Sequence, residues 1–148
     1  DSFQATNMKL LEMLSKVSFN CCFELKLHPS CDLSYYSEYA RNCHMHVIPK
    51  DVTIDECLNN IEYDFSIAIN TTAYYEALMR GLPCLRFYDG TFDLMSGYKD
   101  VFETLEGFLE CLGGIRSLAE DEYQKEIDNV LKYAIGVEID NYQKILCK

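Results

Sequence analysis

Residues 65–83 read Phe65-Ser66-Ile67-Ala68-Ile69-Asn70-Thr71-Thr72-Ala73-Tyr74-Tyr75-Glu76-Ala77-Leu78-Met79-Arg80-Gly81-Leu82-Pro83, and this stretch decides the fold class. Residues 65–69 are nearly all apolar, as expected of a strand covered on both faces. Asn70-Thr71-Thr72 then opens a helix expected over residues 72–80. Gly81 is a natural helix stop, and residues 83–88 form a second strand that ends at an Asp89-Gly90 turn. Strand, helix and strand in this order imply a right-handed parallel crossover.

The same alternation extends upstream. Phe23-Glu24-Leu25-Lys26-Leu27-His28 alternates apolar and polar residues and is stopped by Pro29. Residues 33–41 suit a helix, and residues 44–48 a short strand closed by Pro49. Thr53-Ile54-Asp55-Glu56 is a capping box that starts another helix, to about residue 61. Residues 3–17 form an opening helix with Met8, Leu11 and Leu14 at helical spacing, and Leu10 and Val17 widening the stripe. No strand precedes that helix, although a doubly wound sheet normally opens with one. The expectation is that the chain is a piece of a larger protein.

Downstream, residues 91–103 suggest a loop rich in aromatic and acidic residues. A helix over residues 105–112 is expected to break at Gly113-Gly114. Ser117-Leu118-Ala119-Glu120 suggests a second capping box, launching a helix with Tyr123, Ile127, Val130, Leu131 and Ala134 on one stripe. A last helix is expected over residues 139–146. The predicted fold is α/β: one open parallel sheet of about four or more strands, flanked by helices, with a helical C-terminal tail. Residues 1–148 are expected to form a single domain.

Composition narrows the function. A hydrophobic fraction of 49%, with 11 Tyr and 8 Phe, supports one core. The formal net charge of −11 opposes phosphate-backbone binding, so nucleic acid is not an expected partner. The eight cysteines show no C-x-x-C and no repeating spacing, and several lie inside apolar runs. Reduced cysteines in a cytoplasmic setting are expected. No apolar run approaches the roughly 20 residues that span a bilayer.

Two clusters suit an anionic ligand. Lys26 and His28 are two positions apart, so on a strand they share one face, at its carboxyl end. Ligands of open α/β sheets bind beyond the carboxyl ends of the strands. Asn70, Thr71 and Thr72 place hydroxyls and backbone N–H groups at a helix start, where a phosphate can sit. Ordinary capping by the same residues is compatible with that role. Glu76 lies one turn further on and is placed to bond a ribose hydroxyl. In Cys43-His44-Met45-His46 two His share one strand face, but no third ligand lies nearby in sequence, so no metal and no other cofactor is expected. No Walker loop, G-x-G-x-x-G, G-x-S-x-G or H-E-x-x-H occurs.

Lys26-Leu27-His28-Pro29, followed by Asn70-Thr71-Thr72, Glu76-Ala77 and Gly81-Leu82-Pro83, resembles the C-terminal, donor-binding half of bacterial GT-B-fold glycosyltransferases. The set is similar to that of bacterial sialyltransferases and polysialyltransferases, and of teichoic-acid glycerophosphotransferases. The resemblance covers roughly residues 20–112 and includes Phe102-Glu103-Thr104-Leu105-Glu106-Gly107-Phe108-Leu109. It implies a Rossmann-like domain that binds a nucleotide-sugar donor of CMP, CDP or UDP type. Lys26 and His28 would contact the nucleotide or its phosphates. Thr71 and Thr72, with their backbone N–H groups and with Asn70 beside them, would hold a phosphate, and Glu76 would sit near the ribose. The glycan acceptor would be met through an N-terminal domain outside this chain, at the inner face of the membrane. Catalytic residues are not identified, and the chain alone would catalyse little. The paired glutamates of some retaining enzymes are absent, because Ala68 stands eight positions before Glu76. Two alternatives stay open: a non-catalytic interaction module on the same fold, and a sugar-nucleotide epimerase-like enzyme.

Overall fold

The structure is a computed structural model and describes residues 3–17, 21–60, 62–95, 97 and 99–135. The chain divides into two compact units, Asp1–Glu62 and Tyr63–Lys148. Among the described residues the parallel strands form a two-stranded sheet and a three-stranded sheet. The α/β class therefore holds, but the expected single sheet of four or more strands does not. The apolar runs are short, and each supplies only two to four ladder residues.

The first unit contains α1 (Gln4–Leu14), β1 (Glu24–Leu25), α2 (Leu33–Asn42), β2 (His46–Val47) and α3 (Ile54–Asn60). β1 and β2 pair in parallel, with Glu24 opposite His46. Leu11 and Leu14 of the expected stripe are buried with Leu10, whereas Met8 is half-buried; Leu27, Tyr36, Ala40, Met45 and Ile48 are buried as well. The Asn7 side chain donates to the Tyr36 hydroxyl at 2.9 Å, which satisfies the polar tip of a buried ring. Asp32 caps α2 by accepting from the Ser34 N–H at 2.9 Å. The Thr53 capping box forms as expected: the Thr53 N–H donates to Glu56 Oε2 at 2.7 Å, and the Glu56 N–H donates to Thr53 Oγ1 at 3.1 Å.

The second unit contains β3 (Ser66–Ala68), α4 (Ala73–Met79), β4 (Cys84–Phe87), β5 (Val101–Phe102), α5 (Leu105–Ser117) and α6 (Glu120–Ile135). Its strand order is β3-β4-β5, all parallel. All four residues of the central strand are buried, so both faces of β4 are covered. Ala68, Tyr74, Ala77, Leu78, Cys84, Ile127 and Leu131 form one core cluster, with Tyr123 and Val130 of α6 packed against it. A second set of contacts runs through rings: Phe87–Phe102 at 5.6 Å, Phe102–Phe108 at 5.3 Å and Phe65–Phe108 at 6.0 Å. Tilted rings at these separations are favourable beyond their buried area.

Four expectations need correction. Residues 91–103 are not all loop, since Val101 and Phe102 pair with Arg86 and Phe87 as β5. Two residues carry too little periodicity to announce a strand. The helix does not break at Gly113-Gly114; α5 runs on to Ser117. A Cβ at either glycine would meet nothing within 4 Å, so the pair sits on an open face and costs only propensity. Ser117 does not start a capping box. It is the last residue of α5, and its hydroxyl donates back to the Gly114 carbonyl at 2.8 Å. His44 is not in a strand, for the reason given next. The helix expected over residues 139–146, and the side chain of Ala134, lie outside the described residues.

Helices α2 and α4 end in the same way. After α4, Gly81 has φ 73°, its N–H donates to the Leu78 carbonyl at 2.9 Å, and the Leu82 N–H donates to the Ala77 carbonyl at 3.1 Å. After α2, His44 has φ 57°, its N–H donates to the Arg41 carbonyl at 3.1 Å, and the Met45 N–H donates to the Ala40 carbonyl at 2.7 Å. Both are Schellman ends, which require one left-handed residue. Glycine takes that conformation freely, whereas a side chain costs about 1–2 kcal/mol. His44→Gly should stabilise the chain by about 0.5–1 kcal/mol, and Gly81→Ala should destabilise it by about 1 kcal/mol. Urea denaturation of the two variants beside the parent measures both; equal midpoints would refute the assignment.

Candidate functional site

In the first unit the strand ends at Leu25, so the expected strand face shared by Lys26 and His28 does not extend to them. A turn holds this segment instead. The Cys31 N–H donates to the His28 carbonyl at 2.9 Å, closing residues 28–31. The Ser30 backbone N–H donates to His28 Nδ1 at 3.2 Å, and the Ser30 hydroxyl lies 2.7 Å from the same nitrogen. A ring nitrogen that accepts a backbone N–H carries no proton of its own. In the neutral ring this contact favours the tautomer with its proton on Nε2, and the Ser30 hydroxyl can donate to the same nitrogen.

Lysines on the two post-strand segments bind each other's backbone. Lys26 Nζ, just after β1, donates to the carbonyls of Pro49 and Lys50, each at 3.4 Å. Lys50 Nζ, shortly after β2, donates to the carbonyls of Pro29 at 3.0 Å and Cys31 at 2.6 Å. The carboxyl edge of this small sheet therefore gathers Lys26, His28 and Lys50. Lys50 was missed by sequence reasoning. Its signal is positional: it follows Pro49 behind β2 much as Lys26 follows β1.

The neighbouring Asp32 carboxyl is held below its ordinary value, first by its hydrogen bonds from Ser34 and further by the Lys50 charge. His46 Nδ1 lies 3.3 Å from Glu24 Oε1 across the β1–β2 pair. His44 belongs to the helix end rather than to the strand, so Cys43-His44-Met45-His46 does not present two His on one strand face. Among the described residues no three His, Cys, Asp or Glu side chains are grouped to hold a metal ion.

In the second unit, Asn70, Thr71 and Thr72 follow β3 and are exposed. Asn70 has φ 39°, in the left-handed region where Asn is tolerated better than most residues. Thr71 Oγ1 accepts from the Ala73 N–H at 3.3 Å, and the Thr71 carbonyl accepts from the Tyr74 N–H at 3.1 Å. The Thr72 carbonyl accepts from the N–H groups of Tyr75 and Glu76, at 3.0 and 3.3 Å. The N–H groups of residues 73–76 are therefore satisfied within the chain. What this turn offers outward is hydroxyls and the Asn70 amide. Glu76 is half-buried in the first turn of α4, and its carbonyl accepts from Arg80 Nη1 at 3.0 Å.

Beside this turn, Ala68, Asn70, Thr71, Tyr74, Arg86, Leu94 and Met95 line a shallow recess at the carboxyl ends of β3 and β4. It encloses no space for a water molecule, because Arg86 and Tyr74 fill its floor. Arg86 is 4% exposed and Asp100 2%. Arg86 Nε and Nη2 both reach Asp100 Oδ1 at 2.8 Å, and Nη1 donates to the Met95 carbonyl. The Tyr74 hydroxyl donates to Asp100 Oδ2, and the guanidinium lies over the Tyr74 ring, 4.7 Å from its centroid. Burial pushes the Asp100 carboxyl above its ordinary value, against the pull of Tyr74 and Arg86. A Cβ on Gly97 would run into the guanidinium, so this position of the loop accepts only glycine without displacement.

Asp100 reads as part of a solvated loop in the sequence and is instead among the most buried side chains. The available signal was Arg86, a single charge inside an otherwise apolar strand, which requires a buried partner.

No protein-family model matches the chain, and no curated protein or solved structure is similar to it at a significant level.

Two predictions follow from these geometries. Arg86→Met leaves Asp100 buried without its ion partner and should cost about 3–5 kcal/mol of stability. Adding Asp100→Leu should recover part of that loss, because breaking one half of a buried pair is worse than removing both. A double-mutant cycle by chemical denaturation measures the coupling, and additive losses would contradict it. The second concerns thiols. Cys84 is buried and its thiol is pushed up to about 12 by burial; Cys57 is also buried and raised, whereas Cys22 is exposed. Iodoacetamide followed by peptide mass mapping should modify Cys22 first, and Cys57 and Cys84 only after urea is added.

Proposed function

We propose that this chain binds the nucleotide part of a nucleotide-activated sugar and serves as the donor-binding half of a glycosyltransferase. The observation that carries this reading is the edge behind β1. On a chain of net charge −11, Lys26, His28 and Lys50 are gathered there, and the Ser30 N–H on Nδ1 favours Nε2–H as the donor of the neutral imidazole. A local cationic edge on an acidic protein selects small anions over nucleic acid.

The chemistry fits that ligand class. Transfer of a sugar from a nucleotide leaves charge on the departing phosphate. Donors held rigidly toward that charge stabilise the transition state more than the ground state. Lys26 Nζ has two of its three N–H groups on carbonyls, leaving one for a phosphate oxygen. His28 offers Nε2–H. Within the second unit, taken by itself, the proposal assigns the hydroxyls of Thr71 and Thr72 and the Asn70 amide to a phosphate, and the Glu76 carboxylate to a ribose hydroxyl. The backbone N–H groups of residues 73–76 are satisfied internally, so these side chains carry the assignment.

The donor is of CMP, CDP or UDP type, and the acceptor is a cell-surface glycan presented by another domain of the parent protein. The setting is cytoplasmic, at the inner face of the membrane. Among the described residues no helix is long and apolar enough to cross that membrane.

Calorimetric titration with CMP, CDP, UDP and GDP tests the reading. One cytidine or uridine nucleotide should bind, without turnover of the corresponding sugar nucleotide. Lys26→Ala and His28→Ala should each weaken binding by about tenfold, the value of one hydrogen bond to a charged group. A folded sample that binds none of the four would sink the proposal.

A further inference from the structure

The mutual engagement of Lys26 and Lys50 goes beyond a basic patch. Each ammonium donates to two carbonyls on the segment that carries the other. Strands β1 and β2 contribute only two residues each, too few to set the course of the segments that follow them. The lysines act where the ladder stops. Lys50 acts on the turn that starts at His28, through the carbonyls of Pro29 and Cys31, and the same turn brings the Ser30 N–H to His28 Nδ1. Beyond the turn, Asp32 caps α2, so the segment is held at both ends.

We propose that Lys50 is a positioning residue for His28: by holding the Pro29 and Cys31 carbonyls it fixes the turn in which His28 is locked as the Nε2–H tautomer, directed to a phosphate oxygen. The ligand in that statement rests on the donor-binding function proposed above, whereas the tautomer does not. A lysine suits this task because an ammonium carries three donors and no acceptor. Methionine keeps the length of the stem and removes every donor, while arginine restores donors and charge with a different head.

The test uses the intact chain with 15N-labelled histidine, at about pH 8, where an ordinary imidazole is neutral. Long-range 1H–15N correlation spectra separate a protonated from an unprotonated ring nitrogen. The parent should show His28 with Nε2 protonated and Nδ1 not. Lys50→Met should shift both nitrogens toward the averaged values of a free imidazole, and Lys50→Arg should restore much of the difference. A folded Lys50→Met sample whose His28 keeps the single tautomer overturns the proposal.

If Lys50→Met does not fold, the parent alone decides. At low temperature the Lys50 ammonium should give a visible 1H–15N signal, slowed in exchange by its two carbonyl partners. An ammonium that exchanges as fast as free lysine overturns the proposal. Titration with inorganic pyrophosphate separates the two ideas. Pyrophosphate binding by the parent supports the donor-binding function, and the Lys50-dependent tautomer alone supports the positioning role. A Lys50-dependent tautomer with no pyrophosphate affinity upholds the positioning role and removes the donor-binding function.

Discussion

The second unit is organised around the buried Arg86–Asp100 ion pair. β4 and β5 are parallel neighbours, and parallel strands require a crossover that is usually a helix. Among the described residues of the 88–100 segment no helix makes the crossing. Arg86 stands in for the missing helix. From the middle strand it binds the carboxylate at the entrance to β5 and a carbonyl in the middle of the crossing, while its flat face rests on Tyr74 of α4. Four segments meet at one side chain. Such a pair contributes little net stability against an apolar substitute, but it specifies which loop position meets which strand position. Among the described residues every buried side-chain nitrogen and oxygen has a partner, so the network imposes no orphaned polar atom.

How far the sequence discloses this architecture depends on the range of the forces involved. Local signals read well. The Thr53 capping box and the Gly81 stop rest on contacts within a few residues, and the stripes of α1 and α6 are announced by the local periodicity of the helix. Non-local closure reads poorly. Asp100 looks like one more loop acid until Arg86, fourteen positions earlier, is placed opposite it. β5 is too short for a pattern of its own. His44 looks like a strand residue because its histidine neighbour is one, yet the end of α2 demands a left-handed backbone there. Gly113-Gly114 shows the reverse error: a breaker by propensity, tolerated because the neighbouring turns of α5 carry the packing through Phe108 and Leu112.

The candidate site divides in the same way. Lys26-Leu27-His28-Pro29 is visible as a motif, but the structure changes what the motif does. Its histidine is positioned by a turn and by a serine rather than by strand alternation. Its lysine is partly committed to backbone carbonyls, and a second lysine, silent in the sequence, completes the arrangement. Just behind Asn70-Thr71-Thr72 the N–H groups of residues 73–76 are satisfied within the helix start, which moves weight in ligand recognition toward the side chains of the turn.

The paired helix ends have a consequence for kinship. Each unit runs strand, loop, helix, left-handed residue, strand, with His44 and Gly81 at corresponding places. A left-handed position excludes β-branched residues and admits mainly Gly, Asn and a few polar substitutes. Backbone geometry of that kind persists when side chains around it have drifted past recognition. A pattern built on it, with His, Gly or Asn at the first left-handed position and Gly or Asn at the second, a basic residue behind each of the first two strands and an Arg–Asp pair framing the last crossover, describes relatives by shared constraints rather than by retained letters.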